Sequence, residues 1–238
     1  MFIFKSFRDI TAINFNGDLS KWNVERVTNM EYTFSGSLKF NGDISTWNVE
    51  RVTDMSSLFF LANLYNQDLA QWNVQKVTDL KGTFYAAYAF NGNISHWDVR
   101  NVTNMENTFS SAKKFNQDIS RWNVQKVTHM GGMFRGADAF NRDITRWNAS
   151  SVINTDSMFK DAYEWNLHYI RTDGSPTNFD GPPSEWSACT LPANATSATC
   201  SNATNSIATS CASGFYIDSN VCSACNLPPR ATAATCSN

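Results

Sequence analysis

Any chemistry in this chain has to come from six cysteines, three histidines and a column of recurring carboxylates. The cysteines are confined to one end. Cys189, Cys200, Cys211 and Cys222 follow one another at intervals of 11, Cys225 comes three later, and Cys236 another 11 on. Two chemistries use thiols in such numbers. Cys222-x2-Cys225 has the spacing of a zinc ligand pair, but no histidine follows His168 and the other intervals are wide and even, which does not suit a metal set. Disulfide crosslinking in an oxidising compartment is therefore expected for Cys189, Cys200, Cys211, Cys222, Cys225 and Cys236, with the pairing open. His96, His129 and His168 have no nucleophile, base partner or ligand motif beside them and are read as solvent-facing.

Asp18, Asp43, Asp68, Asn93, Asp118 and Asp143 recur one at a time. Calcium wants about six to eight oxygens, so single carboxylates flanked by Gly or Gln are too sparse to hold it, and turn capping fits them better. Asn16, Asn41, Asn66, Asn91, Asn116 and Asn141 admit either a row of ligands or a structural ladder; the ladder is adopted, because turns between short elements need partners for their backbone groups. No catalytic residue, cofactor or metal is expected, and the chain is read as a non-enzyme.

What must position these residues is a repeat. Trp22, Trp47, Trp72, Trp97, Trp122 and Trp147 recur every 25 residues without insertion or deletion. Around each the frame F-N-x-D-[IL]-[ST]-x-W-N-V-x-x-V-T-x-M-x-x-x-F-x-x-A returns, for about six and a half units. Leu19, Trp22 and Val24 have the L-x-x-L-x-L spacing of a short inward-facing strand, predicting a parallel strand at each W-N-V. Met55, Phe59, Ala62 and Tyr65 then fall at three-to-four-residue intervals, predicting a helix from Thr53 onward. Thr28 with Glu31 and Thr103 with Glu106 suit a capping box at its start. One unit of this size cannot bury its own aromatics, so copies must stack, tryptophan on tryptophan from Trp22 to Trp147. The expected class is α/β, a βα solenoid of 25-residue units over 1–166, a linker or cap over 167–188, and a small disulfide-rich irregular module over 189–238.

The consensus resembles the 25-residue repeat of BspA-like leucine-rich-repeat surface proteins, which occur in mycoplasmas, other microbes and algae, and the likeness covers roughly residues 15–166. The resemblance implies a leucine-rich-repeat-like solenoid on a cell surface, with adhesion or protein binding as its role. Ala149 stands where Val recurs and Thr155 where Met recurs, so the last unit is expected to be a loosened or capping copy.

Residues alternating with the inward Trp and Val point outward and form columns: Lys21, Thr46, Gln71, His96, Arg121, Arg146; then Asn23, Asn48, Asn73, Asp98, Asn123, Asn148; then Glu25, Glu50, Gln75, Arg100, Gln125, Ser150. Variation on a fixed frame is where specificity can sit, which makes His96, Asp98, Arg100, Arg121, Asn123 and Arg146 the candidate binding residues. With 19 Lys plus Arg against 21 Asp plus Glu, a net charge of −2 offers no polyanion footprint, so a protein or glycan on a cell surface or matrix is expected and nucleic acid is not. A spacer or stalk without a ligand of its own is the alternative.

After Pro176, Pro182 and Pro183 the composition changes, and C-T-L-P-A-N-A-T-S-A-T-C-S-N at 189 returns as C-N-L-P-P-R-A-T-A-A-T-C-S-N at 225. C-A-S-G-F-Y-I-D-S-N-V-C-S-A-C at 211 weakly resembles cysteine-rich extracellular repeats of ephrin-receptor and tumour-necrosis-factor-receptor type. Sequons at Asn93, Asn101, Asn148, Asn194 and Asn202 suit a secreted eukaryotic chain. Apolar runs such as Leu58 to Ala62 are far short of the roughly 20 residues of a membrane span, and MFIFKSFRDI is not a signal peptide. An extracellular or cell-surface location without a leader, together with a half repeat and a half module at the ends, is expected of a fragment of a longer protein.

Overall fold

The computed structural model describes residues 12–172, 179–188, 195–202, 205–211, 215–218 and 221–224. The chain divides into two compact parts, Met1–Trp165 with Phe179–Ser184, and Asn166–Asn178 with Glu185–Asn238.

The first part is a stack of 25-residue coils, taken here as 15–39, 40–64, 65–89, 90–114, 115–139 and 140–164. Neither the strand at W-N-V nor the helix after Thr53 forms; both stretches are chains of tight turns. In coil 2 the amides of Trp47, Val52, Leu58, Phe60 and Ala62, and that of Tyr65 at the start of coil 3, each bond the carbonyl three residues back. The amides of Met55, Ser57, Phe59 and Leu61 instead reach the next coil, at the carbonyls of Asp79, Lys81, Thr83 and Tyr85, over 2.7–3.1 Å. Alternate amides thus serve the coil and its neighbour, which satisfies this buried backbone without helix or continuous sheet. The reason the helix fails is visible in the backbone: Ser57 and Leu61 have φ of 52° and 58°. Left-handed residues cannot continue an α-helix, and the same two positions are Gly132 and Gly136 in coil 5, with φ of 62° and 64°. Parallel pairing occurs seven residues after each tryptophan, as isolated bridges Asn29↔Asp54, Asp54↔Asp79, Asp79↔Asn104, Asn104↔His129 and His129↔Asn154. The expected capping boxes also give way. The amides of Glu31 and Glu106 are taken by Asn29 and Asn104 Oδ1, while the Thr28 and Thr103 carbonyls accept amides of the next coil.

Three aromatic ladders fill the interior. Trp72, Trp97, Trp122 and Trp147 stack with centroids 6.4 Å apart and planes within 5°. Each indole of this ladder donates to a carbonyl of the preceding coil, Trp97 Nε1 to Leu69 O at 2.9 Å. Trp22, in the first coil, departs from the expected buried ladder and is 40% exposed. Phe34, Phe59, Phe84, Phe109, Phe134 and Phe159 form a second ladder, at 5.4–5.7 Å. The third runs from Phe15 through Phe40, Tyr65, Phe90, Phe115 and Phe140 to Trp165. Burying one aromatic removes about 150–250 Å² from water, so these ladders are the main attractive term holding coil to coil.

At the far end residues 179–181 lie where a further coil would. Phe159 N bonds Phe179 O at 3.1 Å, and Gly181 N bonds Thr155 Oγ1 at 2.9 Å. The hydroxyl that replaces the recurring methionine thus receives the closing segment.

In the second part β1 (Tyr169–Arg171) pairs antiparallel with β2 (Trp186–Ala188), and Arg171 and Glu185 form an ion pair at 2.7 Å. The helix α1 (Tyr163–His168) leads into β1. Two further antiparallel hairpins pair β3 (Ala195–Asn202) with β4 (Asn205–Cys211), and β5 (Phe215–Asp218) with β6 (Val221–Ala224). The expected disulfides fall outside the described residues: Cys189, Cys225 and Cys236 entirely, and Cys200, Cys211 and Cys222 in their side chains.

Candidate functional site

Most recurring polar residues of the stack are occupied by the backbone. The asparagines after each aromatic form a ladder in which Asn16 Oδ1 accepts the Asn41 amide at 2.9 Å, and so on through Asn116 to Asn141. Asp18, Asp43, Asn93, Asp118 and Asp143 each accept the amide two residues on, the capping role that a short oxygen-bearing side chain performs in a turn. Asp68 differs, accepting the Asn93 amide of the next coil. Hydrogen bonds hold several of these carboxyls below the usual range: for Asp18 chiefly that from the Ser20 hydroxyl, for Asp43 chiefly that from the Ser45 amide. Asp118 is lowered first by the Ser120 hydroxyl, with smaller contributions from Arg142 and Arg121.

The candidate binding residues separate into two groups. Asp98 and Asn123 belong to a second capping column, their Oδ1 atoms accepting the Arg100 and Gln125 amides. Asp98 also holds the Arg100 guanidinium at 2.8 Å, and this hydrogen bond raises the guanidinium pKa further. His96, Arg121 and Arg146 form the other group, exposed at one position of coils 4, 5 and 6. His96 Nδ1 lies 3.0 Å from Ser95 Oγ, while Arg121 and Arg146 make no ion pair among the described residues.

Two further basic side chains lie outside the candidate set, Lys126 continuing the basic column of Arg26, Arg51 and Lys76. Arg142 is exposed, its Nε donating to Asn116 O at 2.8 Å, and Lys126 Nζ donates to Asn101 Oδ1 at 2.8 Å. The Arg142 column otherwise reads Gly17, Gly42, Gln67, Gly92 and Gln117, which gives no hint of a cation. His129 sits half-buried in the bridge column beside Thr128 Oγ1 at 2.9 Å, not facing solvent as expected, and His168 is half-buried in α1. Among the described residues no group of three or more His, Cys, Asp and Glu could hold a metal ion, and no helix is long and apolar enough to cross a membrane.

No curated protein and no solved structure matches the chain. A family described as Mycoplasma protein of unknown function, DUF285, matches twice, over residues 3–92 and 63–172. The overlapping matches follow from the repeat, each spanning several coils of one continuous stack. With most of the chain covered, the protein belongs to the DUF285 family.

Proposed function

We propose that the chain is a non-catalytic, leucine-rich-repeat-like binding scaffold at the cell surface or outside the cell, whose His96, Arg121 and Arg146 column contacts a protein or glycan of a cell surface or matrix. One observation carries this reading. Recurring side chains are spent on ladders and caps, whereas this column is exposed and changes identity from coil to coil. A rigid frame then presents cations at a spacing set by the coil rise, about 4.8 Å per step. Asp98 and Asn123 support the column by fixing the turn behind it, and Arg100 is tethered by Asp98. The crosslinked tail belongs to the same proposal, since a segment poor in large apolar residues needs covalent staples outside the cell.

The test is a binding screen of the full chain against immobilised matrix proteins and glycans, repeated with Arg121→Ala plus Arg146→Ala. The double variant is expected to bind at least about tenfold more weakly, with unfolding free energy within about 0.5 kcal/mol of the parent. Unchanged binding by a folded double variant would refute the column. The spacer reading is favoured by the capping use of Asp98 and Asn123, and a screen without any saturable partner would put it first.

A further inference from the structure

Five large apolar residues sit outside the stack at one corner of coils 2 and 3. In coil 2 the last two turns, from Phe59 to Ala62 and from Ala62 to Tyr65, leave their central residues partly or fully exposed. Here these include Phe60, Leu61 and Leu64, and in coil 3 Tyr85 and Tyr88. Leu64 is 52% and Tyr88 43% exposed, and the Phe60 and Tyr85 rings stack at 4.9 Å.

The repeat supplies its own control. Phe60 and Tyr85 correspond to Ser110, Arg135 and Lys160 in later coils, Leu64 to Lys39 and Lys114, and Tyr88 to Asn63, Lys113 and Asp138, with apolar residues recurring there only as Leu38 and Tyr163 in coils 1 and 6. The same turns close in coil 4, where Ala112 N bonds Phe109 O and Phe115 N bonds Ala112 O, so folding does not require apolar residues there. A contiguous exposed apolar patch with a polar rim marks an interaction surface.

Charge selects the occupant. Along the Leu64 column the order is Lys39, Leu64, Ala89, Lys114, so an exposed lysine stands at each end of the apolar stretch. Neither lysine forms an ion pair among the described residues. Three coil steps put the two positions roughly 14 Å apart, about the span of four residues of extended chain. We infer that this corner docks an extended segment of a partner protein in which apolar side chains lie between two acidic residues. The surface is separate from the arginine column and does not depend on it.

The full chain can be titrated with a labelled peptide Gly-Asp-Leu-Phe-Leu-Asp-Gly and with the same peptide carrying lysines for its aspartates. The aspartate peptide is expected to bind about tenfold or more tightly than its lysine counterpart. Lys39→Glu with Lys114→Glu is expected to reverse that preference. Leu64→Lys with Tyr88→Lys introduces residues that coil 4 already carries at these positions, and is expected to abolish binding at an unchanged unfolding midpoint. Equal binding of both peptides, or no binding of the aspartate peptide, overturns the inference. A dimer that the Leu64→Lys and Tyr88→Lys variant converts to monomer also overturns it, assigning the corner to a second copy.

Discussion

Tyr65 is the residue that least fits its place. It occupies a ladder otherwise built of Phe15, Phe40, Phe90, Phe115, Phe140 and Trp165, it is fully buried, and its hydroxyl has no hydrogen-bond partner. Burial pushes the phenol pKa well above its ordinary value. Removing a buried hydroxyl that bonds nothing recovers its desolvation cost, so Tyr65→Phe is expected to raise stability by about 1–2 kcal/mol in chemical denaturation. A loss of stability would show that the hydroxyl is satisfied. Asp43 tests the opposite situation, an exposed carboxylate whose folded pKa is depressed mainly by the Ser45 amide. Its contribution is complete above the ordinary carboxylate pKa and is lost as pH falls through the depressed folded value. Asn93 already caps the equivalent turn. Asp43→Asn is therefore expected to leave neutral-pH stability unchanged and to flatten its decline in acid, as read from unfolding curves across pH. The residues of the ladders were legible in the sequence because a period of 25 with aromatic identity admits little but stacking. The half-exposed Trp22 was not, because it carries the same residue at the same spacing as its buried counterparts.

At the scale of the element, the sequence misled in an instructive way. Met55, Phe59, Ala62 and Tyr65 do all face inward, as a helix would place them, but consecutive turns put them there instead. Apolar spacing reports which side chains are buried and not which hydrogen bonds the backbone makes. A local signal was present in Gly132 and Gly136, four apart where a helix should run. The same conformation is forced on Ser111, at φ of 57°, where coils 1 and 5 have Gly36 and Gly136. Ser111→Gly is expected to raise stability by up to about 1 kcal/mol, since relief of the left-handed strain outweighs the added freedom of the unfolded chain. Phe109→Ala, two residues earlier on the inner face, is expected to lower it by about 3–5 kcal/mol. Destabilisation by both changes would show that the turns do not hold this backbone.

Across the molecule, the recurring apolar positions are mostly buried and the variable ones mostly exposed. The interior is a repeated solution and the exterior varies over it, so the candidate column could be located from the sequence while its partner could not: nothing in His96, Arg121 and Arg146 beyond charge and exposure selects a ligand. Neighbouring coils share hydrogen bonds and rings, so a central coil has neighbours on both sides to lose. Equilibrium unfolding of Trp97→Ala and Trp22→Ala probes this most directly. Trp97 is 3% exposed, stacks on Trp72 and Trp122, and bonds Leu69 O, whereas Trp22 is 40% exposed. Trp97→Ala is expected to cost about 3–5 kcal/mol and Trp22→Ala clearly less; equal losses at the two sites, or a negligible loss at Trp97, would contradict the stacked coils.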